Sequence, residues 1–270
     1  MIASKMFTTA WGSAARRCRA AVSTLVVVAV AAGVTAGCGG STEPPKTAKD
    51  TAFTVVVDHA AASAARREGM DLKALVASYG ARAFALLPHR GRVRIDVSLD
   101  ASKTIPQIGV GSFTDPRTGN VSIWIARKPP EGLRKALDTW LPGSVAHELD
   151  HASRIRTGPG YGHTLGEALV SEGLADHFEY EAFPKTPSQP WDHALTRAQE
   201  EAVWQKARSI LETPYGYDHT AWFFGGGNVP HWAGYSLGYD VVGAYLTHNH
   251  SASEAVDVGA DDILAAFRGR

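Results

Sequence analysis

The chain has 270 residues, 44% of them hydrophobic, and its 27 basic residues balance its 27 acidic ones. Such a chain is long enough for one globular domain of ordinary size with a small extension. The balanced charge argues against a nucleic-acid partner, because no long basic run occurs after the first twenty residues.

The N-terminal part of the chain has the pattern of an export signal. Basic residues from Lys5 to Arg19 precede the apolar run at 21–36, which is short and rich in small residues for a membrane span. The Ala-Gly-Cys sequence ending at Cys38 resembles a bacterial lipoprotein signal, in which residues 1–37 are removed and the cysteine is lipidated. Two alternatives stay open: an ordinary signal peptidase could release a soluble protein, or the segment could remain as an uncleaved anchor.

Residues 38–50 are rich in Gly, Pro and polar residues, so we expect a tether that holds the domain away from the membrane. The other cysteine, Cys18, lies within the signal, which leaves the domain at 51–270 without an internal disulfide. The sequence thus predicts an exported lipoprotein at the outer face of the cell membrane. Its fold must rest on core packing, with or without a bound metal.

The first part of the domain mixes helical and strand patterns. A short apolar run at 53–57 leads into an Ala-rich segment, 58–87, with the pattern of one or two amphipathic helices and with Gly69 and Gly80 as breaks. Strand-like runs follow at 93–99, 108–113 and 121–126, with a turn at 115–120. The run at 121–126 is either the sheet edge beside the functional site, open to pairing with an extended peptide, or an interior strand.

The remainder is mainly helical in pattern. A helix that starts at Pro129-Pro130 is interrupted by Pro142 and Gly143. Further helices are predicted up to about Thr157, from Thr164 with its capping-box partner Glu167 to near Phe183, from Trp191 to Leu211, and after the loop at 225–227, where the helix carries Trp232, Tyr235, Tyr239 and Val242. Trp191, Trp204 and Ile210 are expected in the core rather than at a substrate. The pattern predicts an α+β fold that is mainly helical, with a small mixed or antiparallel sheet.

The strongest chemical signal is the segment HELDH, from His147 to His151. In a helix, the two histidines lie one turn apart on one face and can bind one metal ion. Glu148 would lie beside them, where the general base of a zinc hydrolase contacts a water on the metal. The alternative is a surface helix with solvated histidines. Val145 and Leu149 argue against it, because they give the helix a buried side.

A second segment, SEGLAD at 171–176, supplies the further ligand that a catalytic zinc site needs. Glu172 lies at a distance along the chain that allows two helices joined by a loop to bring it to the metal. Asp176, one turn later, could accept the outer N–H of a metal-bound histidine and fix its tautomer. This arrangement resembles the thermolysin-like zinc peptidases. The resemblance implies a zincin-like fold in which His147, His151 and Glu172 bind Zn²⁺.

The likeness to known proteins extends further along the chain. The segments HELDH, TLGEALVSEGLADHFE and PHWAGYSLGYDVV resemble, in order and spacing, a bacterial family catalogued as a domain of unknown function and described as predicted zinc-dependent proteases. The likeness covers about residues 60 to 265. Asp150 stands where the resemblance implies an apolar residue. This difference affects the expected exposed face of the helix more than the metal site.

The leading function is therefore hydrolysis of a peptide or protein substrate by a membrane-tethered zinc metallopeptidase of the gluzincin type. Glu148 would take a proton from the attacking water and pass it to the leaving amine. A second donor would stabilise the oxyanion. Tyr235 is preferred because it lies in the third family-like segment, while Tyr161, His163 and His231 stay candidates.

Two other functions stay open. The protein could be a non-catalytic lipoprotein that binds zinc or a peptide, in which case a structural zinc site would favour a fourth protein ligand. The chain has spare histidines for this, His163, His177, His193 and His231 among them. The protein could also hydrolyse a non-peptide amide. A glutamate in the base position favours the enzyme, because a structural zinc site does not need one.

Overall fold

The computed structural model describes residues 52–248 and 250–268. The predicted signal at 1–37, the tether at 38–50 and the predicted lipidation residue Cys38 lie outside the described residues. Among the residues that are described, no helix combines the length and the apolar character needed to cross a membrane.

The described part of the chain has an α+β fold that is mainly helical, as predicted. It contains the four strands β1 Phe53–Val57, β2 Val93–Leu99, β3 Val110–Thr114 and β4 Val121–Ile125. Its helices are α1 His59–Arg67, α2 Leu72–Phe84, α3 Leu133–Thr139, α4 Leu141–Thr157, α5 Leu165–Ala182, α6 Arg197–Ala207, α7 His219–Phe224, α8 Ala233–Leu246, α9 Ala252–Ala255 and α10 Ala260–Arg268. The sheet is mixed, since β1, β2 and β4 are parallel and β3 is antiparallel to β4.

The strand order β1-β2-β4-β3 makes the edge-strand interpretation of residues 121–126 wrong. These residues form β4, which pairs with β2 on one side and β3 on the other. The turn that begins at Asp115, whose amide donates to Asn120 O at 2.9 Å, folds the chain back so that β3 lies outermost. Ile123 and Ile125 are fully buried, as expected for a strand covered on both faces.

The two glycines predicted as helix breaks behave differently. Gly69 follows α1 with a φ of +73°, a left-handed conformation that glycine adopts without a steric penalty. Asp71 then caps α2 by accepting from the Ala74 amide at 3.1 Å. Gly80 lies inside α2 and does not break it. A side chain at this position would meet the Phe53 ring, so the glycine serves close packing between α2 and β1.

Helix α4 is buried along most of its length. Trp140 separates α3 from α4, and Pro142 falls in the first turn of α4, where its missing N–H has no helical acceptor. Every residue of α4 from Leu141 to Arg154 is buried. The prediction of a helix with a buried side is confirmed, and the burial extends around the whole helix.

Asp150, at the position where the family resemblance implies an apolar residue, has a fully buried side chain, so the helix has no exposed face there. Burial raises the pKa of Asp150 to about 6, against the opposing positive charges of His151 and Arg154. The Arg154 guanidinium donates to Val256 O at 2.8 Å and to Val258 O at 3.0 Å. The buried Arg154 side chain therefore fastens the segment at Val256 and Val258 to α4.

The helix predicted at 191–211 is shorter than expected. It spans Arg197–Ala207, because Thr196 caps its first turn in a box with Gln199. The segment before it is held in turns by Asp192, whose carboxylate accepts from the Gln189 amide at 2.9 Å. Trp191 in this segment is buried, as predicted.

Helix α5 lies at the centre of the helical part and positions the functional site. It packs against α4 on one side and against α8 on another. The contact with α8 is close because Gly173 and Gly238 meet backbone to backbone, which leaves no room for a side chain at either position. The helix predicted after residues 225–227 was expected to carry Trp232. It begins at Ala233, so Trp232 lies just before α8.

Candidate metal site

Helices α4 and α5 bring the three predicted ligands together. His147 and His151 share one face of α4, and α5 places Glu172 opposite them. His147 Nε2 lies 3.1 Å from His151 Nε2 and 3.2 Å from Glu172 Oε2, and His151 Nε2 lies 3.3 Å from the same oxygen. All three side chains are buried. Two imidazole nitrogens and one carboxylate oxygen thus converge on one point.

These residues fit a zinc ion in chemistry and in spacing. Zinc in proteins binds imidazole nitrogen and carboxylate oxygen at about 2.0–2.2 Å, so two ligands of a tetrahedral site lie roughly 3.3–3.5 Å apart. The three separations between the ligand atoms, 3.1 to 3.3 Å, come close to that spacing. Among the described residues, the possible metal-binding group that contains both histidines has three members, His147, His151 and Glu172. Three protein ligands are the number found in catalytic zinc sites.

The outer nitrogen of His147 has two carboxylate partners. Nδ1 lies 3.2 Å from Asp176 Oδ1, the predicted partner, and 3.1 Å from Glu179 Oε1. When Nδ1–H of the neutral ring donates to either carboxylate, Nε2 is the nitrogen that can bind a metal. Sequence reasoning missed Glu179. Its spacing could have revealed it, since Glu172, Asp176 and Glu179 lie four and three residues apart and so share one face of α5.

The other two ligands are held by hydroxyl groups. His151 Nδ1 lies 3.3 Å from Ser171 Oγ on α5. The Tyr161 hydroxyl donates to Glu172 Oε1 at 2.7 Å, which leaves Oε2 facing the two histidines. Tyr161 is one of the candidate oxyanion donors, and this hydrogen bond ties it to a predicted ligand. It comes from the loop between the two helices, where sequence gives no periodic signal.

Glu148 is buried beside this group but does not join it. Its carboxylate oxygen Oε2 lies 2.6 Å from the Thr114 hydroxyl, and the same hydroxyl lies 2.9 Å from the Glu148 carbonyl oxygen. Thr114 is the last residue of β3, so the edge strand orients this carboxylate. The two residues are far apart in sequence, and no local pattern predicts their contact.

The electrostatics of the site favour a cation. Burial alone would lower the pKa of His147, yet hydrogen bonds to Asp176, Glu172 and Glu179 raise it well above the usual value. Burial would raise the pKa of Glu172, but His151 and His147 hold it well below its usual range. Burial also raises the pKa of Asp176 to about 7 and raises that of Glu179. Three buried carboxylates, those of Glu172, Asp176 and Glu179, lie around His147. Burying their negative charge is costly unless positive charge compensates it, and a divalent ion would supply that charge.

The ligand residues and Glu148 line a cavity of about 560 Å³. Of the candidate oxyanion donors, Tyr235, Tyr161 and His231 also line it, whereas His163 is exposed and lies against the Tyr215 ring. Burial, followed by the charge of Glu172, raises the pKa of Tyr235 well above its usual value, so its phenol stays protonated. The spare residues His177 and His193 pack on the Tyr239 ring, away from the ligand group.

Comparison with known proteins agrees with this chemistry. Residues 111–265 match a family described as predicted Zn-dependent protease (DUF2268). The matched region contains all of β3 except Val110, and all of α4 and α5, and therefore all the residues of the site described above. The chain is also 28% identical over 136 residues to the uncharacterized protein YjaZ of Bacillus subtilis (strain 168). That alignment covers 46% of this chain and 49% of YjaZ, so the chain spans about half the length of this curated relative.

No solved structure matches the chain. The family match, however, takes in more than half of its residues and includes both motif helices. The chain therefore belongs to the family of predicted Zn-dependent proteases, DUF2268.

Proposed function

We propose that this protein is a zinc-dependent metallopeptidase that hydrolyses peptide bonds. His147, His151 and Glu172 would hold the metal, and Glu148 would act as the general base. The observation that carries this proposal is the convergence of three ligand atoms at 3.1 to 3.3 Å beside a glutamate that is not one of them. A bound zinc ion would supply Lewis-acid chemistry, polarising a carbonyl oxygen and lowering the pKa of water.

Glu148 is oriented for proton transfer. Thr114 holds Oε2, which leaves Oε1 for the attacking water. As the water oxygen bonds to the peptide carbonyl carbon, Glu148 takes a proton from it. The C–N bond then breaks, and the same proton passes from Glu148 to the leaving amine.

The outer residues would hold the ligands in place. Asp176 and Glu179 fix the ring of His147, and Tyr161 fixes the carboxylate of Glu172. Tyr235 remains our candidate for the oxyanion donor, because its neutral phenol borders the same cavity as the ligands.

The first test is metal content. We expect the purified protein to carry about one zinc per chain, because three ligands form a single open site. His147→Ala, His151→Ala and Glu172→Ala should each remove most of this zinc, measured by elemental analysis. His193→Ala is the matched control and should keep it, since this exposed ring packs on Tyr239. Full zinc in Glu172→Ala would move the third ligand elsewhere.

The second test separates a peptidase from a protein that only stores zinc. Glu148→Gln should keep the zinc and the melting temperature, because the amide is nearly isosteric. It should lower cleavage of a diverse peptide library by roughly 10² to 10⁴-fold, because an amide cannot take the proton. Cleavage at the wild-type rate would overturn the role of Glu148. Cleavage by neither protein would favour the non-catalytic alternative.

The third test compares two tyrosines of the cavity. Tyr161→Phe removes the hydrogen bond to Glu172 and should weaken zinc affinity by about 10 to 100-fold in a chelator competition. Tyr235→Phe should leave zinc affinity unchanged and lower kcat by roughly 10² to 10³-fold, the range for loss of an oxyanion donor. The reverse pattern would exchange the two roles.

We also propose that the chain is exported and held at the membrane by lipid on Cys38, as the signal pattern suggests. Wild-type protein should fractionate with membranes and carry a lipid-modified Cys38 at its mature N-terminus by mass spectrometry. Cys38→Ala should accumulate as an unprocessed precursor or a released domain. An unmodified N-terminus at Gly37 would contradict lipidation and support soluble export.

A further inference from the structure

One side of the cavity is formed by four aromatic residues that the proposed mechanism does not fully use. We call Trp191, Phe224, Trp232 and Tyr235 the aromatic wall; all four line the same cavity as the ligand group. Trp191 lies 6.2 Å from the Trp232 ring and 5.8 Å from the Tyr235 ring, and Phe224 lies 6.3 Å from the Tyr235 ring. These are contact distances for edge-to-face and tilted aromatic rings.

The aromatic wall is fixed to the metal site. The Trp191 indole N–H donates to Asp176 Oδ1 at 3.0 Å, the same oxygen that lies beside His147. The Ser236 hydroxyl donates to the Trp191 carbonyl oxygen at 2.6 Å, which ties this residue to α8. The position of the aromatic wall relative to the ligands is therefore set by direct hydrogen bonds.

Trp232 is held in a backbone conformation that bulky residues rarely adopt. Its φ of 62° and ψ of 17° are left-handed, and its side chain is only partly buried. The chain holds this conformation through the Ala233 amide, which donates to Pro230 O at 3.2 Å, and the Ser236 amide, which donates to Trp232 O at 3.0 Å. Non-glycine residues in this region cluster at ligand sites. A tryptophan in this conformation, with its ring on the cavity, points to use of that ring.

The charges of the cavity indicate what the aromatic wall would accept. Its own side chains carry no charge. The carboxylates that line the cavity, Glu148, Glu172 and Glu179, belong to the proposed catalytic machinery. Lys103 is held 4.8 Å from the Trp124 ring centre and 3.6 Å from Asp100. The aromatic wall and the carboxylates beside it offer no positive charge to an acidic side chain, and the large apolar area of the wall favours an apolar one.

We propose that the aromatic wall is a subsite for a large apolar side chain of the bound peptide, above all an aromatic one. This inference rests on the proposed function in taking a peptide as the ligand. A further ring would pack against faces and edges that Trp191, Trp232 and Tyr235 already present in fixed positions. Specificity would then come from side-chain burial next to the metal.

The test uses the full-length, zinc-loaded chain and capped pentapeptides of the form Gly-Ala-Xaa-Ala-Gly, with Phe, Gly or Asp at Xaa. Binding is measured by calorimetry in the Glu148→Gln background, so that turnover does not interfere. We expect the Phe peptide to bind at least about 10-fold more tightly than the Gly peptide, and the Asp peptide to bind worst. Trp232→Gly should abolish the preference for Phe.

Trp232→Gly is chosen because glycine adopts the left-handed conformation without strain, so the fold should survive loss of the ring. Unchanged zinc content and melting temperature would verify this. Trp204→Ala is the matched control, since Trp204 packs on the Phe267 ring, at 4.9 Å, and does not line the cavity. It should keep the preference.

Equal binding of the Phe and Gly peptides, no measurable binding of the Phe peptide, or a preference that survives Trp232→Gly would each overturn the subsite. Cleavage of the same peptides by the chain with native Glu148 separates this inference from the proposed function. A binding preference without cleavage supports the subsite and counts against the peptidase. Cleavage without a preference supports the peptidase and overturns the subsite.

Discussion

The site depends above all on the way His147 uses both of its ring nitrogens. Nε2 meets His151 and Glu172, and Nδ1 lies between Asp176 and Glu179. A single imidazole on α4 is thus held by three carboxylates from one face of α5. Because helical spacing fixes those three side chains relative to each other, small shifts of α5 along α4 would break several contacts at once.

This interaction also explains why the site suits a divalent ion. The raised pKa of His147 and the lowered pKa of Glu172 are two expressions of the same attraction between a buried base and a buried acid. Buried charges are costly unless compensated, and here the carboxylates outnumber the groups that can offset them. A metal bound to Nε2 would supply the missing positive charge, while the outer carboxylates would keep the ring aligned.

The proposed chemistry draws on three separate parts of the fold. The two motif helices supply the predicted ligands, and β3 orients Glu148 through Thr114. The aromatic wall comes from the segment before α6, the end of α7 and the start of α8. Trp191 connects these parts, since its indole contacts Asp176 and its carbonyl accepts from Ser236. The Glu148 carboxylate, the His147–His151–Glu172 group and the aromatic wall are therefore positioned by hydrogen bonds from separate parts of the fold.

The local features of the fold can be predicted from the sequence alone. Helical periodicity places His147 and His151 on one face, the Thr164–Glu167 box marks the start of α5, and the turn at 115–120 follows from its residues. Each of these depends on contacts within a few residues, which a single sequence displays directly. The same periodicity places Glu179 on the face of α5 that carries Glu172 and Asp176.

Three features could not be predicted from the sequence and follow from the tertiary packing. They are the outermost position of β3, the burial of Asp150, and the contacts of Thr114 and Tyr161 with the site. These outcomes depend on which distant segments pack together. An alternating or apolar run fits an edge or an interior strand equally well, and a polar residue in a helix carries no mark of what will cover it. Long-range packing chooses among such alternatives, because burial and hydrogen bonding are properties of the assembled core and not of any one segment.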